Sequence, residues 1–197
     1  MITNNFSFFG RGYQNKKSKW VLQTKPQGTM SITQVYEFII SDCAREATMR
    51  LRAMLQTTTK EQRQDYKKAN FTFVTFSGSF LYRNATSLIM RTPYMVLDID
   101  DLSSIDEARD VQYALCADTQ IETALCFVSP SGLGVKWVLE LPEWTQGLPF
   151  LSQWYKLRNH LAFHYGLKAD PSGKDVNRAC YLPWDNECFI NNKYLSI

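Results

Sequence analysis

Tyr94-Met95-Val96-Leu97-Asp98-Ile99-Asp100-Asp101 is an apolar run of β character that ends in three carboxylates. Extended backbone sends successive side chains to opposite faces. Met95, Leu97 and Ile99 then point one way, and Val96, Asp98 and Asp100 the other. Two carboxylates two residues apart on one strand edge are close enough to share a divalent cation. Hard oxygen ligands of this kind suit Mg²⁺ or Mn²⁺. D-x-D is a short pattern, and a strand end with a solvated acidic turn is its plainer reading in isolation. The metal reading depends on the segments that surround it.

Downstream, the pattern alternates regularly between the two periods. The first strand, Tyr94 to Asp100, is followed by a helix from about Ile105, with Ser104 and Glu107 at capping-box spacing and Ile105, Ala108, Val111 and Leu115 on its core face. A second strand runs Thr123 to Val128. Ser129-Pro130-Ser131-Gly132-Leu133-Gly134 makes a turn, and a third strand runs Val135 to Leu141. A helix from roughly Pro149 to Tyr165 places Leu151, Trp154, Leu157 and Leu161 on one face, and Gly166 can close it. The loop Lys168 to Asn177 leads to a fourth strand, Arg178 to Trp184. The tail, Phe189 to Ile197, either packs as a final strand or frays. This order is βαββαβ, a ferredoxin-like or RRM-like arrangement over residues 92–197.

That topology predicts a meeting point. With the fourth strand beside the first, Asp98 and Asp100 lie near the 131–136 turn and the 170–178 segment. In the third strand Val135, Trp137 and Leu139 should face the helices, which puts Lys136 on the face of Asp98 and Asp100. The parity of Arg178 with Cys180 and Leu182 fits this less well, unless a bulge precedes the strand. Ser131, Gly132 and Gly134 let backbone N–H groups approach phosphate closely, and Lys136 adds charge. A plain hairpin turn and an exposed strand lysine are the simpler alternatives.

Residues 1–91 read as a basic α/β module. They hold fourteen Lys and Arg against five Asp and Glu, a balance of +9, whereas residues 92–197 hold eight against fourteen, a balance of −6. Arg11, Lys16, Lys17, Lys19 and Lys25 fall in the first thirty residues with no acid among them. A basic half beside an acidic one suits a polyanion grip next to a metal site, and solubilising charge explains it equally well. Short strands are expected at Phe6–Phe9 and Trp20–Leu22. One helix runs from the N-cap Ser31 to Met54, with Val35, Ile39, Cys43, Ala47, Leu51 and Met54 inward. A polar helix follows at Lys60–Ala69, then a strand from Phe71 to Phe76 that Ser77-Gly78-Ser79 breaks. Arg83 and Arg91 flank a short apolar segment and can meet phosphate or simply solvent. Both modules are expected to form one compact body.

Composition bounds the rest. The chain has 197 residues, 45% hydrophobic and 14% aromatic, which excludes a disordered chain. No apolar run has the ~20 residues of a membrane helix, and the start has no secretory core, so a cytoplasmic protein with no membrane partner is expected. Cys43, Cys116, Cys126, Cys180 and Cys188 are scattered and form no C-x-x-C, which favours reduced, mostly buried thiols.

Taken together, Leu97-Asp98-Ile99-Asp100, Ser131-Gly132-Leu133-Gly134-Val135-Lys136, and Asp170 through Asn177-Arg178 to Leu182-Pro183 resemble the catalytic domain of archaeo-eukaryotic (prim-pol) primases. Thr75-Phe76-Ser77-Gly78-Ser79-Phe80 and Lys174-Asp175-Val176-Asn177-Arg178-Ala179-Cys180 add a closer likeness to the N-terminal domain of VirE-like replication proteins of Bacteroidetes mobile elements. The likeness covers roughly residues 30 to 190, by motif order rather than continuous identity. It implies a nucleotidyltransferase that starts or extends nucleic acid on a DNA template from nucleoside triphosphates, in replication of a mobile element or plasmid. It implies Asp98, Asp100 and Asp170 as catalytic metal ligands for Mg²⁺ or Mn²⁺, with Asp175 the rival for the third place. Ser131, Gly132, Gly134, Lys136 and Arg178 would then hold nucleotide, and Arg11, Lys16, Lys17, Lys19 and Arg83 nucleic acid. Lys136 stands where the family places a nucleotide-binding histidine. That departure opens the alternative of a degenerate relative that binds DNA or nucleotide without polymerising. Related proteins carry a helicase-type region, for which 197 residues leave no room; a longer chain or a separate helicase would supply it.

Other features carry less. His160 and His164 have the i, i+4 spacing of a zinc pair, but the metalloprotease glutamate is absent, and helix-surface or interface histidines are expected. Trp137, Trp154 and Trp184 read as core. Tyr13, Phe8 and Phe9 suit either base stacking or core packing. A D-x-D phosphohydrolase of haloacid-dehalogenase type would want Thr or Val where Leu102 stands, and ranks last.

Overall fold

The structure is a computed structural model that describes residues 4–195. Residues 1–3 and the end of the expected tail segment, 196–197, lie outside the described residues. In chain order the elements are β1 (Phe6–Phe9), β2 (Tyr13–Gln14), β3 (Trp20–Val21), β4 (Gly28–Met30), α1 (Ile32–Ile40), α2 (Arg45–Ala53), α3 (Lys60–Asn70), β5 (Phe73–Thr75), β6 (Gly78–Phe80), β7 (Leu88–Arg91), β8 (Tyr94–Ile99), α4 (Ile105–Cys116), β9 (Thr123–Val128), β10 (Val135–Glu140), α5 (Phe150–Tyr165), β11 (Cys180–Tyr181) and β12 (Phe189–Ile190). The architecture is mixed α+β with several antiparallel sheets.

The sheet that carries the acidic strand has the order β12-β9-β10-β8. Its register sets Lys136 directly opposite Asp98 and Val135 opposite Ile99. All six residues of β8 are buried, because both faces of this sheet are covered. Met95, Leu97 and Ile99 pack with Val135, Trp137, Leu139, Trp154, Leu157 and Leu161 under α4 and α5. Tyr94 and Val96 pack on the other side with Phe6, Ile32, Val35, Ile39 and Val74. The expected alternation of faces holds, but the face of Asp98 is closed by the N-terminal elements rather than left open.

The second four-stranded sheet has the order β11-β5-β1-β4, and here the expected fourth strand is found displaced. Cys180 and Tyr181 pair with Val74 and Phe73, not with β8. Tyr181 meets the rings of Phe71 and Phe73 at 6.3 and 6.1 Å, and Leu182 N–H donates to Thr72 O. Along the free edge of β8 runs a loop instead. Ala169 bridges to Ile99, Asp170 N–H donates to Asp98 O at 2.7 Å, and a short 3-10 turn follows at Pro171–Lys174. Pro171 has no N–H to extend a ladder, which ends strand-like pairing at that point. The tail does form a strand, β12, on the opposite edge beside β9.

Three helix expectations are corrected. The single helix from Ser31 to Met54 is two helices with a 3-10 turn, Asp42–Ala44, between them. Ser31 and Gln34 form the capping box that starts α1. Ser41 is extended, and its hydroxyl donates to Phe38 O and accepts from Cys43 N–H, closing α1 and opening the turn. The break rotates the buried stripe by one residue, so Ala44, Thr48 and Leu51 face inward and Cys43 is exposed. At α4, Ser104 accepts from Glu107 N–H, but the Glu107 carboxylate takes the N–H and hydroxyl of Ser103. Ile105 and Leu151 lie at first-turn positions and are exposed rather than core. The strand expected over Phe71–Phe76 is ordered only as β5, and Gly78–Phe80 returns as β6 against β7.

Trp137 and Trp154 are fully buried, and Trp137 donates to Thr123 Oγ1 at 2.8 Å. Trp184 is only partly buried, with the Arg45 guanidinium 5.0 Å from its ring. Phe9 is core, Phe8 packs at its margin and Tyr13 is exposed. All five cysteines are free; Cys126, Cys180 and Cys188 are buried, Cys116 is half-buried and Cys43 exposed. His160 is buried rather than on the surface, bonded through Nε2 to Asp118 Oδ2 at 2.7 Å. No helix of the described residues is long and apolar enough to cross a membrane.

Candidate metal centre

Three carboxylates from two separated segments converge at the end of β8. Asp98, Asp100 and Asp170 each offer an oxygen within 4.8 Å of the others, the one such acidic group among the described residues. The strand period puts Asp98 and Asp100 on one side, and the Asp170 N–H bond to Asp98 O clamps the third residue to the edge. Their surroundings differ: the side chain of Asp98 is 8% exposed, that of Asp170 26% and that of Asp100 48%. Asp175 is exposed and outside the group, its carbonyl accepting from Arg178 N–H. The backbone turns away at Asp101, whose φ of +61 an Asp tolerates better than most residues.

Two cations face the three acids. The Lys136 ammonium contacts Asp98 Oδ1 and lies 3.7 Å from Asp100 Oδ1. Arg178 Nη2 sits 3.0 Å from Asp170 Oδ2 and 3.7 Å from Asp98 Oδ2. Lys67 of α3 adds a third positive charge that Asp100 feels, so three carboxylates stand against three cations. Burial pulls the Lys136 ammonium down to about 8, with Arg178 and Lys67 adding to the effect and Cys180 and Asp170 opposing it. Desolvation and the neighbouring Asp170 raise the Asp100 carboxyl, against the opposing charge of Lys67. Burial would raise Asp170 too, but the Ser172 hydroxyl and N–H, Arg178 and Lys136 outweigh it and hold the carboxyl low. The donor set fits a hard divalent ion. Asp98 Oδ1 is sealed from solvent without a hydrogen bond, beside the Lys136 ammonium that an ion would displace or join.

Glycine is required where the next turn meets the acids. A β-carbon at Gly134 would lie 2.4 Å from Ile99 O and 3.1 Å from Asp100 Oδ1. Gly132 has φ +80, in the region that favours glycine. Ser131 Oγ lies 3.1 Å from Ser129 Oγ and accepts from Leu133 N–H, so its hydroxyl shapes the turn.

The remaining basic residues lie elsewhere. Lys16, Lys17 and Lys19 are exposed on the β2–β3 hairpin, whose turn is fixed by Asn15 Oδ1 accepting from Lys17 and Lys19 N–H. Arg11 is exposed as well. None of these four pairs with a carboxylate among the described residues. Arg83 is half-buried, 5.7 Å from the Phe73 ring, and burial depresses it. Its carbonyl accepts from Asn177 Nδ2, which ties it to the segment of Arg178. Lys67 of α3 was not marked by the sequence. Burial lowers its ammonium, and it feels the charges of Asp100 and Arg178. A lysine in a polar helix carries no local sign of the sheet edge it folds against.

Residues 66–189 match the model of the family described as BT4734-like, N-terminal domain. The matched stretch contains Asp98, Asp100, Asp170, Lys136, Arg178 and the 129–134 turn. Comparison with curated proteins and with solved structures gives no match.

Proposed function

The chain belongs to the BT4734-like N-terminal-domain family, and from that premise we propose that it is a metal-dependent nucleotidyltransferase of primase type. The observation that carries this reading is the convergence of Asp98, Asp100 and Asp170 within 4.8 Å beside a glycine turn and two cations. A bound Mg²⁺ or Mn²⁺ would neutralise triphosphate charge and activate an attacking hydroxyl. Asp98 and Asp170, fixed by β8 and the Asp98 O bond, orient the ligand set. Asp100, more exposed, is the carboxylate nearest to an arriving substrate. Lys136 and Arg178 lie where they would meet phosphate oxygens. Gly134 keeps the turn against β8. Arg11, Lys16, Lys17 and Lys19 offer unpaired charge to a DNA template, and Arg83 would add to it beside Arg178. In this reading the protein acts in replication of a mobile element or plasmid, with a helicase as partner.

One observation favours a second reading. Lys136 already contacts Asp98 Oδ1, so its ammonium neutralises the buried carboxylate without an ion. A degenerate relative that binds DNA or nucleotide would keep this pair and lose catalysis. Primer synthesis on a single-stranded template with NTPs or dNTPs and Mn²⁺ or Mg²⁺ separates the two. The catalytic reading expects product from the wild type and none from Asp98→Asn plus Asp100→Asn. Product from the double variant refutes the site. Salt-sensitive DNA binding with no product and no metal requirement selects the second reading.

A further inference from the structure

The β2–β3 hairpin and α3 enclose a cleft separate from the metal centre. Gln14 and Trp20 stand opposite each other in the hairpin, so both side chains leave the same face. On α3, Gln62, Asp65, Tyr66 and Ala69 recur at helical spacing and form the facing wall. The cleft has a volume of about 520 Å³, within the ~300–1,000 Å³ of small-ligand sites. Its hairpin side is fixed at the foot. Gly12 N–H donates to Lys68 O at 2.7 Å, and a β-carbon at Gly12 would lie 2.5 Å from Val21 O and 2.8 Å from Lys68 O. The hairpin is thus held against α3 before any ligand arrives.

The lining suits a planar heterocycle. Trp20 and Tyr66 are half-buried in the walls. Gln62 accepts from Thr59 N–H through Oε1, which leaves its Nε2 to donate, and Asn70 donates to Tyr66 O, which leaves its Oδ1 to accept. Aromatic rings beside amide donors and acceptors bind a flat, polar-edged ring by stacking and edge hydrogen bonds. Charge then selects the class of ligand. Asp65, the one carboxylate of the walls, is bridged to Lys68 at 2.8 Å. Lys16, Lys17 and Lys19 crown the hairpin, and Tyr66 feels the charges of Arg50 and Arg11 against that of Glu46. A cationic ligand would meet net repulsion here, whereas a base carried on a phosphate backbone would meet attraction. Lys67, about 100° further round α3 than Tyr66, feels the charge of Asp100. One helix therefore borders both the cleft and the metal centre.

We propose that this cleft receives one unpaired nucleobase of a single-stranded nucleic acid, stacked on Trp20 and Tyr66, with neighbouring phosphates on Lys16, Lys17 and Lys19. This rests on the template contact of the reading above and deepens it. Lysines alone grip paired and unpaired strands alike; the cleft admits only a base free of its partner.

The test is fluorescence anisotropy of the full chain with a short thymidine oligonucleotide, a uridine one, and an abasic strand of the same length and charge. The wild type should bind the base-bearing strands about fivefold to a hundredfold tighter than the abasic one; the thymidine and uridine arms tell DNA from RNA. Trp20→Ala and, independently, Tyr66→Ala should shrink that preference and leave abasic affinity unchanged, while Trp20→Phe keeps most of it. Lys17→Gln plus Lys19→Gln should weaken all strands alike and flatten the salt dependence. Binding should quench tryptophan emission in the wild type and less in Trp20→Phe. Equal wild-type affinity for base-bearing and abasic strands overturns the proposal without recourse to any variant. So does an equal loss for both strands in Trp20→Ala and Tyr66→Ala, or an undiminished quench in Trp20→Phe. The two readings fail separately. Base-dependent binding without primer synthesis keeps the cleft and sinks the polymerase; primer synthesis without base preference does the reverse.

Discussion

Gly134→Ala tests whether the turn and the acidic strand are one mechanical unit. The added β-carbon would lie 2.4 Å from Ile99 O, where ordinary contact begins at 3.4 Å, so the carbonyl must retreat by about 1 Å. Ile99 is buried, paired with Val135 and bridged to Ala169, which leaves it little room. Overpacking of this kind costs ~1–3 kcal/mol. The displaced peptide lies between Asp98 and Asp100, so both carboxylates move with it, and the new carbon also crowds Asp100 Oδ1 at 3.1 Å. Shifts near 1 Å in a preorganised site lose on the order of tenfold to a hundredfold. Urea unfolding followed by tryptophan fluorescence gives the stability change, and Mn²⁺ titration gives the affinity change. Gly28→Ala is the control, because a β-carbon there meets nothing within 4 Å; its stability should stay within about 0.5 kcal/mol or rise slightly. A Gly134→Ala protein as stable as wild type, with unchanged Mn²⁺ affinity, would refute the reasoning.

Three further outcomes are expected. Asp185→Ala should destabilise the fold by ~3–5 kcal/mol, since it strands the Arg109 guanidinium and the buried Val128 N–H; a urea-derived loss under 1 kcal/mol would contradict this. Burial alone would raise the Asp118 carboxyl, but His160, Tyr165 and the N–H groups of Ile121 and Gln120 outweigh it and hold it below 3.8. Its contribution is therefore complete above the unfolded value and is lost as pH falls through the lower folded one, so wild type should lose stability below about pH 4 more steeply than Asp118→Asn, and parallel pH–stability curves would count against it. Lys136→Met removes the ammonium from Asp98, which should raise Mn²⁺ affinity about tenfold (~1.4 kcal/mol) and weaken triphosphate binding; unchanged Mn²⁺ affinity would mean the lysine does not compete for the carboxylate.

Strand parity was legible where one residue type alternates with another. The opposition of Lys136 to Asp98, and the burial of Val135, Trp137 and Leu139 together, follow from period two and one hairpin. The grouping of Asp170 with Asp98 and Asp100 agrees with the expected meeting point, although the route differs. The segment after Asp170 was expected to pair with β8, whereas Pro171 stops it there and Tyr181 finds Phe71 and Phe73 more than a hundred positions upstream. Pairing over that separation is decided by aromatic packing that no local pattern encodes. The break at Ser41 was visible only as a Ser-Asp pair inside a helical period, a weak signal against several apolar residues in phase. Lys67 comes from a helix whose polar face looks solvated in sequence; only the packing of that helix against the sheet end brings it within reach of the charge of Asp100.

The most direct measurement is Mn²⁺ binding to the wild-type chain, read by the loss of free-ion electron paramagnetic resonance, beside Asp98→Asn plus Asp100→Asn. The account predicts one or two bound ions in the wild type, displaced by Mg²⁺, and none in the folded double variant. Equal binding by both proteins, or no binding by the wild type with triphosphate present, would contradict it.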